Sequence, residues 1–254
     1  MKTTFQRTSA IQSAFTLIEL LVVIAILGFL TAIALPAIYR SLEKSRAAQG
    51  LSNMRQIGVA MALYAGENDN YLPLMRTFWP QQPYGLEGIE PYLETVNGKG
   101  AGRKLYVCPN RKIKAPMHLM EQNGWLNYRT FSCNPNVHRW APGGTPDPGS
   151  LRIKVLAIPR ASQVISVIDA SQRDDGTPAN GGLNGLPLDP TDARMREASR
   201  AEEFVPTTGD SDPQSQGTIR YRQPGKTANA LFVDGHVEAV KKGTLLNKNF
   251  SVAY

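Results

Sequence analysis

"AFTLIELLVVIAILGFLTAIALPA" fills residues 14–37, and from Leu20 to Ile38 no residue is charged. An α-helix rises about 1.5 Å per residue, so this uncharged stretch alone crosses nearly all of a bilayer's hydrocarbon core. Glu19 stands at its edge. A lone carboxylate in lipid costs a few kcal/mol and is normally paired or functional. From the residues alone, Glu19 is protonated, reaches back to the interface, or meets a partner.

The flanks rule out an ordinary secretory signal, which runs from a basic start through a short apolar core to a small-residue cleavage site. Here Lys2 and Arg7 lie in a polar leader, and the small residues Ser13 and Ala14 precede the apolar run. A cut before the run leaves the apolar helix on the mature chain. Charge does not decide orientation: Lys2 and Arg7 on one side face Arg40, Lys44 and Arg46, less Glu43, on the other.

The stretch "FTLIELLVVIAILGFLTAIALP" (15–36) resembles the N-terminus of type IV prepilins and of the pseudopilins of type II secretion. The resemblance implies cleavage between Ala14 and Phe15 by a membrane-embedded prepilin peptidase, and methylation of the new Phe15 amine. It implies that Glu19 meets the Phe15 amine of a neighbouring subunit in a helical fibre. It also implies a helix kink at Pro36, which any membrane-helix proline would produce by removing a backbone donor. One departure is Ala14, where the family usually has Gly; a small residue is kept, and cleavage is expected.

The leader is then 1–14 and the transmembrane and assembly helix 15–38, with a soluble continuation over 39–68. In that continuation Leu51, Met54, Ile57, Met61 and Tyr64 recur every three or four residues, drawing one apolar stripe for a sheet to cover. Gly50 and Gly58 interrupt it, each costing about 1 kcal/mol in a helix interior, and are expected to allow close backbone packing. "GENDNYLP" (66–73) ends the helix, which is expected over about Phe15 to Ala65.

Residues 69–254 read as an extracytoplasmic β-rich domain. "RIKVLAI" (152–158) and "QVISVIDA" (163–170) are β-branched runs, and "ANALFVDGHVEAV" (228–240) places a hairpin turn at Asp234-Gly235. The fold class expected is α+β and pilin-like: a long N-terminal hydrophobic helix whose C-terminal half packs on an antiparallel β-sheet, with long loop insertions. The largest insertion, 171–217, is mostly Gly, Pro, Asp, Ser and Thr, with one short helix expected at 191–204. A second resemblance, on "LSNMRQIGVAMALYAGENDNYLP", "VCPN", "IPRASQVISVIDAS" and "GKTANALFVDGHVE", is to the prepilin-like family of planctomycetes and verrucomicrobia. That family carries His, nine residues, then Asp-Gly. Pro224 stands where the His would be, so the signature is incomplete here.

Outside the cytoplasmic membrane, Cys108 and Cys133, the only cysteines, suit a single disulfide, whose loop closure is worth about 3 kcal/mol. The alternatives are two buried thiols or a pair too far apart. Asp234, His236 and Glu238 alternate by two and are weak metal candidates; a turn Asp beside a solvent face accounts for them equally. "ENDN" (67–70) and "DASQRDDG" (169–176) gather oxygen ligands without EF-hand spacing, so calcium has no located site and no cofactor is expected.

Catalysis has no foothold: there are three histidines, no Gly-x-Ser-x-Gly and no phosphate-cradling loop, and His118 and His138 read as surface residues. Asp174-Asp175 and Glu202-Glu203 read as solvated charges. Net charge is +7, and residues 40–254 carry a surplus of six cations, concentrated between 97 and 114. DNA would be attracted to such a patch, but so modest a surplus ordinarily serves solubility or attraction to envelope polymers, and nucleic acid is not an expected partner. The expected function is a non-enzymatic, pseudopilin-like structural subunit of a type II secretion or type IV pilus-like fibre. Its partners are prepilin peptidase, other pilin-like subunits and, indirectly, the assembly platform and its ATPase. Its place is the inner membrane, with a periplasmic C-terminal domain and an envelope fibre after assembly. The competing class is a single-pass anchored binding module for glycan, protein or DNA, which has no need of Glu19.

Overall fold

A computed structural model describes residues 16–74, 89–93, 105–113, 130–139, 152–172, 197–208, 210–212 and 218–253. The chain divides into two compact units, Met1–Leu42 and Glu43–Tyr254. One helix, α1 (Leu17–Glu67), contributes to both and runs two residues beyond the expected end. Asn68, Asp69 and Asn70 then turn the chain, Asp69 and Asn70 both at positive φ (51° and 61°), which short polar side chains tolerate.

Within the first unit every described residue is exposed, including Leu17, Phe29 and Ile33. This part of α1 is apolar all round and is long and apolar enough to cross a membrane. Within its uncharged run and at its start the polar side chains bond locally: Thr31 Oγ1 donates to the Leu27 carbonyl at 2.6 Å, and Glu19 pairs with Thr16. Pro36 lies inside α1 and, lacking an N–H, leaves the Ala32 carbonyl without its helical donor.

The second unit is α+β. Strands β1 (Phe131–Cys133), β2 (Ile165–Asp169), β3 (Thr227–Phe232) and β4 (Val237–Lys241) form one antiparallel sheet in the order β1-β2-β3-β4. Pairing runs from Phe131↔Asp169, through Ile168↔Ala230, to Thr227↔Lys241. Alternation along β3 assigns its faces. Leu231, with Val167 of β2, packs on Met54, Ile57, Met61 and Tyr64 of α1. Ala228, Ala230 and Phe232 face Val205, Ile219, Tyr221, Leu245 and Phe250 instead. Both sheet faces are therefore covered, which is why β2 is buried at every position.

The β3–β4 hairpin forms where Asp234-Gly235 was expected to turn. Its loop, Val233 to His236, is closed by Gly235 N–H to the Phe232 carbonyl at 3.0 Å, with Gly235 at φ 93°. Two expectations fail. The run 152–158 is not a strand: Lys154 makes an isolated bridge to Tyr71, and Val155–Ala157 is a 3₁₀ turn ahead of Pro159. The stretch expected as a helix over 191–204 shows, in its described part, only the 3₁₀ turn Ala198–Arg200, after which Phe204 pairs with Leu246. Tertiary pairing overrides local propensity at both places.

Candidate assembly site

Ala14 and Phe15 lie outside the described residues; the site begins with Thr16. Thr16 N–H and Oγ1 both donate to Glu19 Oε2, at 2.9 and 2.7 Å, and Glu19 N–H points to Thr16 Oγ1 at 3.3 Å. This is a reciprocal capping box, with Thr16 as N-cap and Glu19 at the third helical position. Sequence reasoning missed Thr16, although Thr-x-x-Glu ahead of an apolar run is the signal that finds it. The carboxylate spends Oε2 on its own helix start, and no described residue engages Oε1. One face of Glu19 is left for an outside donor.

Close packing fixes the rest of α1 on the sheet. A Cβ on Gly50 would come within 2.8 Å of Asn229 Nδ2, and one on Gly58 within 2.8 Å of Leu231 Cδ1. Both glycines therefore sit where the expected close approach requires them. Asn229 Nδ2 reaches the Ala47 carbonyl at 3.5 Å, and Asn110 Nδ2 joins the Glu43 carbonyl (3.1 Å) to Gln223 Oε1 (2.8 Å). Below them Asp169 is fully buried; its Oδ2 accepts from Gln223 Nε2 and Asn229 N–H, each at 2.8 Å. Burial pushes its carboxyl pKa up, against the pull of the Arg222 guanidinium.

The expected disulfide is not present. Cys108 and Cys133 are both buried thiols. The Cys108 sulfur is turned toward Gln223 Nε2 at 3.1 Å, and burial beside the Asp169 carboxylate pushes its thiol up to about 12. Cys133 ends β1, paired with Val167. Both sulfurs belong to the core under α1 and act as small hydrophobes rather than a cross-link.

His138 corrects a second expectation, since it is fully buried rather than on the surface. Its Nδ1 meets the Pro73 carbonyl and its Nε2 the Ser166 hydroxyl, both at 2.7 Å. Burial lowers its pKa to about 4, so the ring is neutral and holds the chain beyond α1 to β2. His118 lies outside the described residues.

The metal candidates do not converge. Asp234 Oδ1 accepts from His236 N–H (3.1 Å) and meets Nδ1 (2.6 Å), His236 stacks on Phe232, and Glu238 is exposed on β4. Among the described residues no three His, Cys, Asp or Glu side chains gather as a metal site. Of the two oxygen-rich clusters, Glu67 accepts from the Tyr92 hydroxyl and Asp169 is used in the core. At the returning end of the 171–217 insertion, Asp210 takes Arg220 and Lys242, each at 2.6 Å, and Asp212 takes Arg220 Nε at 2.8 Å. Guanidinium and ammonium groups neutralise these carboxylates.

A membrane-grade helix with a capped carboxylate at its start, continuing as the packing helix of a four-stranded antiparallel sheet, defines a pilin-like protein. Residues 10–35 match the prokaryotic N-terminal methylation motif. The chain is 30% identical over 104 residues to the type II secretion system core protein G of Pseudomonas aeruginosa, covering 39% of this chain and 68% of that protein. No solved structure matches. The chain belongs to the prepilin and pseudopilin family. It is a membrane-anchored envelope protein of the pilin-like, fibre-subunit class.

Proposed function

We propose that the chain is a pseudopilin-like structural subunit of a type II secretion or type IV pilus-like fibre. Prepilin peptidase cuts between Ala14 and Phe15 and methylates the new amine. The helix start, 15–38, lies in the inner membrane, with 1–14 cytoplasmic and the 43–254 unit periplasmic. An assembly platform and its ATPase then move the subunit into the fibre, and the role calls for neither catalysis nor a cofactor.

The observation that carries this reading is the exposed apolar part of α1 with Glu19 at its start, inside the matched motif. Glu19 Oε1 is the acceptor offered to the Phe15 amine of an adjacent subunit. Such a pair removes two charges from lipid at once, whereas an anchor alone has no use for either. The test is intact-mass and N-terminal peptide analysis of the protein from its native membrane. A mature chain starting at N-methylated Phe15 is expected. A chain retaining Met1 to Ala14 would make the helix a plain anchor and the 43–254 unit a binding module.

A further inference from the structure

Two features among the described residues of the 43–254 unit open outward. The first is a groove of about 200 Å³. The end of α1 supplies Gly58 and Ala62, the 155–157 turn supplies Val155 and Leu156, and the β3–β4 loop supplies Val233 and Gly235. A cavity of ~150 Å³ with apolar walls takes a benzene ring, so this one has room for a phenyl group. Leu156 stands at the groove, 84% exposed.

The second surface is Phe204, 67% exposed and outside the groove lining. Its backbone is held firmly: Phe204 pairs with Leu246, Val205 N–H donates to the Leu245 carbonyl, and Asn247 N–H to that of Glu203, both at 2.9 Å. Val205 points inward and is buried, so strand alternation aims Phe204 at solvent. An aromatic ring fixed there is an unfilled contact.

Charge pairs the two surfaces. Residues 197–204 carry Glu197, Glu202 and Glu203 against one cation, Arg200. Val155 and Leu156, which line the groove, are flanked in sequence by Arg152, Lys154 and Arg160, with no acid in 152–160, and Asp234, which also lines the groove, is bonded to His236. Glu202 remains 70% exposed while bonded to Lys248. Ring and groove are different patches of one chain. A contact between them across two copies is heterologous and repeats in one direction, as an open helical array requires.

We propose that Phe204 of one copy seats in the groove beside Leu156 of a second copy, with the 197–203 carboxylates against the Arg152, Lys154 and Arg160 side. This contact rests on the fibre-subunit reading above and names the globular-domain surfaces that such a fibre joins.

The test co-expresses full-length chains carrying Phe204→Cys with differently tagged full-length chains carrying Leu156→Cys, followed by oxidation. Both positions are exposed, and the native Cys108 and Cys133 are buried. The expected result is a disulfide dimer joining the two tags, absent when either variant is expressed alone. Sheared fibre yield should fall about tenfold in Phe204→Ala and recover in Phe204→Tyr. Fibres that form without the cross-link overturn this contact and leave the fibre reading standing. A cross-link to some other protein in place of the second copy also overturns it. A cross-link found where no fibre forms supports the contact and removes the fibre reading, and absence of both removes the two together.

Discussion

The two parts of α1, Leu17 to Leu42 and Glu43 to Glu67, use nearly the same apolar residues for opposite ends. In the first part these residues surround the helix and all are exposed. In the second, Met54, Ile57, Met61 and Tyr64 form a stripe that vanishes into the core, while Val59 and Leu63 stay exposed. Burying such a side chain is worth about 1.5–3 kcal/mol, so the stripe is satisfied within the chain. The first part gains the same only from lipid or from other helices. Polar groups follow the same division. Glu19 and Thr31 bond within four residues of themselves, while Asn229, Asp169 and His138 draw on partners distant in sequence. Hydrophobicity sets the amount of burial sought; its arrangement around the helix sets where it is found.

The largest effect expected belongs to the first part. Glu19→Ala should leave cleavage after Ala14 intact and abolish recoverable fibre, read by N-terminal peptide analysis beside sheared-fibre yield. Normal fibre from that variant would make the carboxylate dispensable and the two halves of α1 alike in needing only apolar contact. In the second part, Gly58→Val places a side chain against the buried Leu231. Overpacking of this kind costs about 3 kcal/mol. Chemical denaturation of the detergent-solubilised chain should show that loss, and a change under about 0.5 kcal/mol would mean that α1 is not held as closely as described.

His138 tests the second part through pH. Its folded pKa is about 4, below the ordinary 6.5, because burial disfavours the imidazolium. The unfolded chain therefore binds a proton through this window and the folded one does not. Stability is full above pH 6.5 and falls as pH drops toward 4, by about 3 kcal/mol at most from this group. The wild type should show that decline relative to His138→Gln across pH 6.5 to 4. Parallel curves would place the ring in contact with water.

The helix, its stripe, the two close-approach glycines and the β3–β4 turn were legible because each is written locally, in periodicity, charge-free length or an Asp-Gly pair. What stayed hidden depends on partners far along the chain. His138 lies among Pro, Asn and Arg, and nothing nearby foretells that Pro73 and Ser166 will enclose it. A two-cysteine count suggests a cross-link, yet the sulfur of Cys108 answers to Gln223, 115 residues away. The run 152–158 has strand propensity, but its one backbone bridge, Lys154 to Tyr71, belongs to the chain leaving α1. Glu19 is the mixed case. Its lone charge beside an apolar run stands out in the sequence, while its nearest partner, Thr16, lies only three residues away.

The Thr16–Glu19 pair carries the smallest expected effect and the finest test. Thr16→Val removes the hydroxyl that both donates to Glu19 Oε2 and accepts from Glu19 N–H, and leaves the Thr16 N–H bond in place. Losing an N-cap side chain costs about 1 kcal/mol. Amide exchange of residues 17–20 should therefore quicken about fivefold in the detergent-solubilised chain, and Thr16→Ser should restore it. Fibre yield should fall far less than in Glu19→Ala, because Oε1 remains available to a neighbouring amine. If Thr16→Val instead removes fibre as completely as Glu19→Ala, the carboxylate works by capping its own helix. The first half of α1 would then enter a fibre through apolar contact alone.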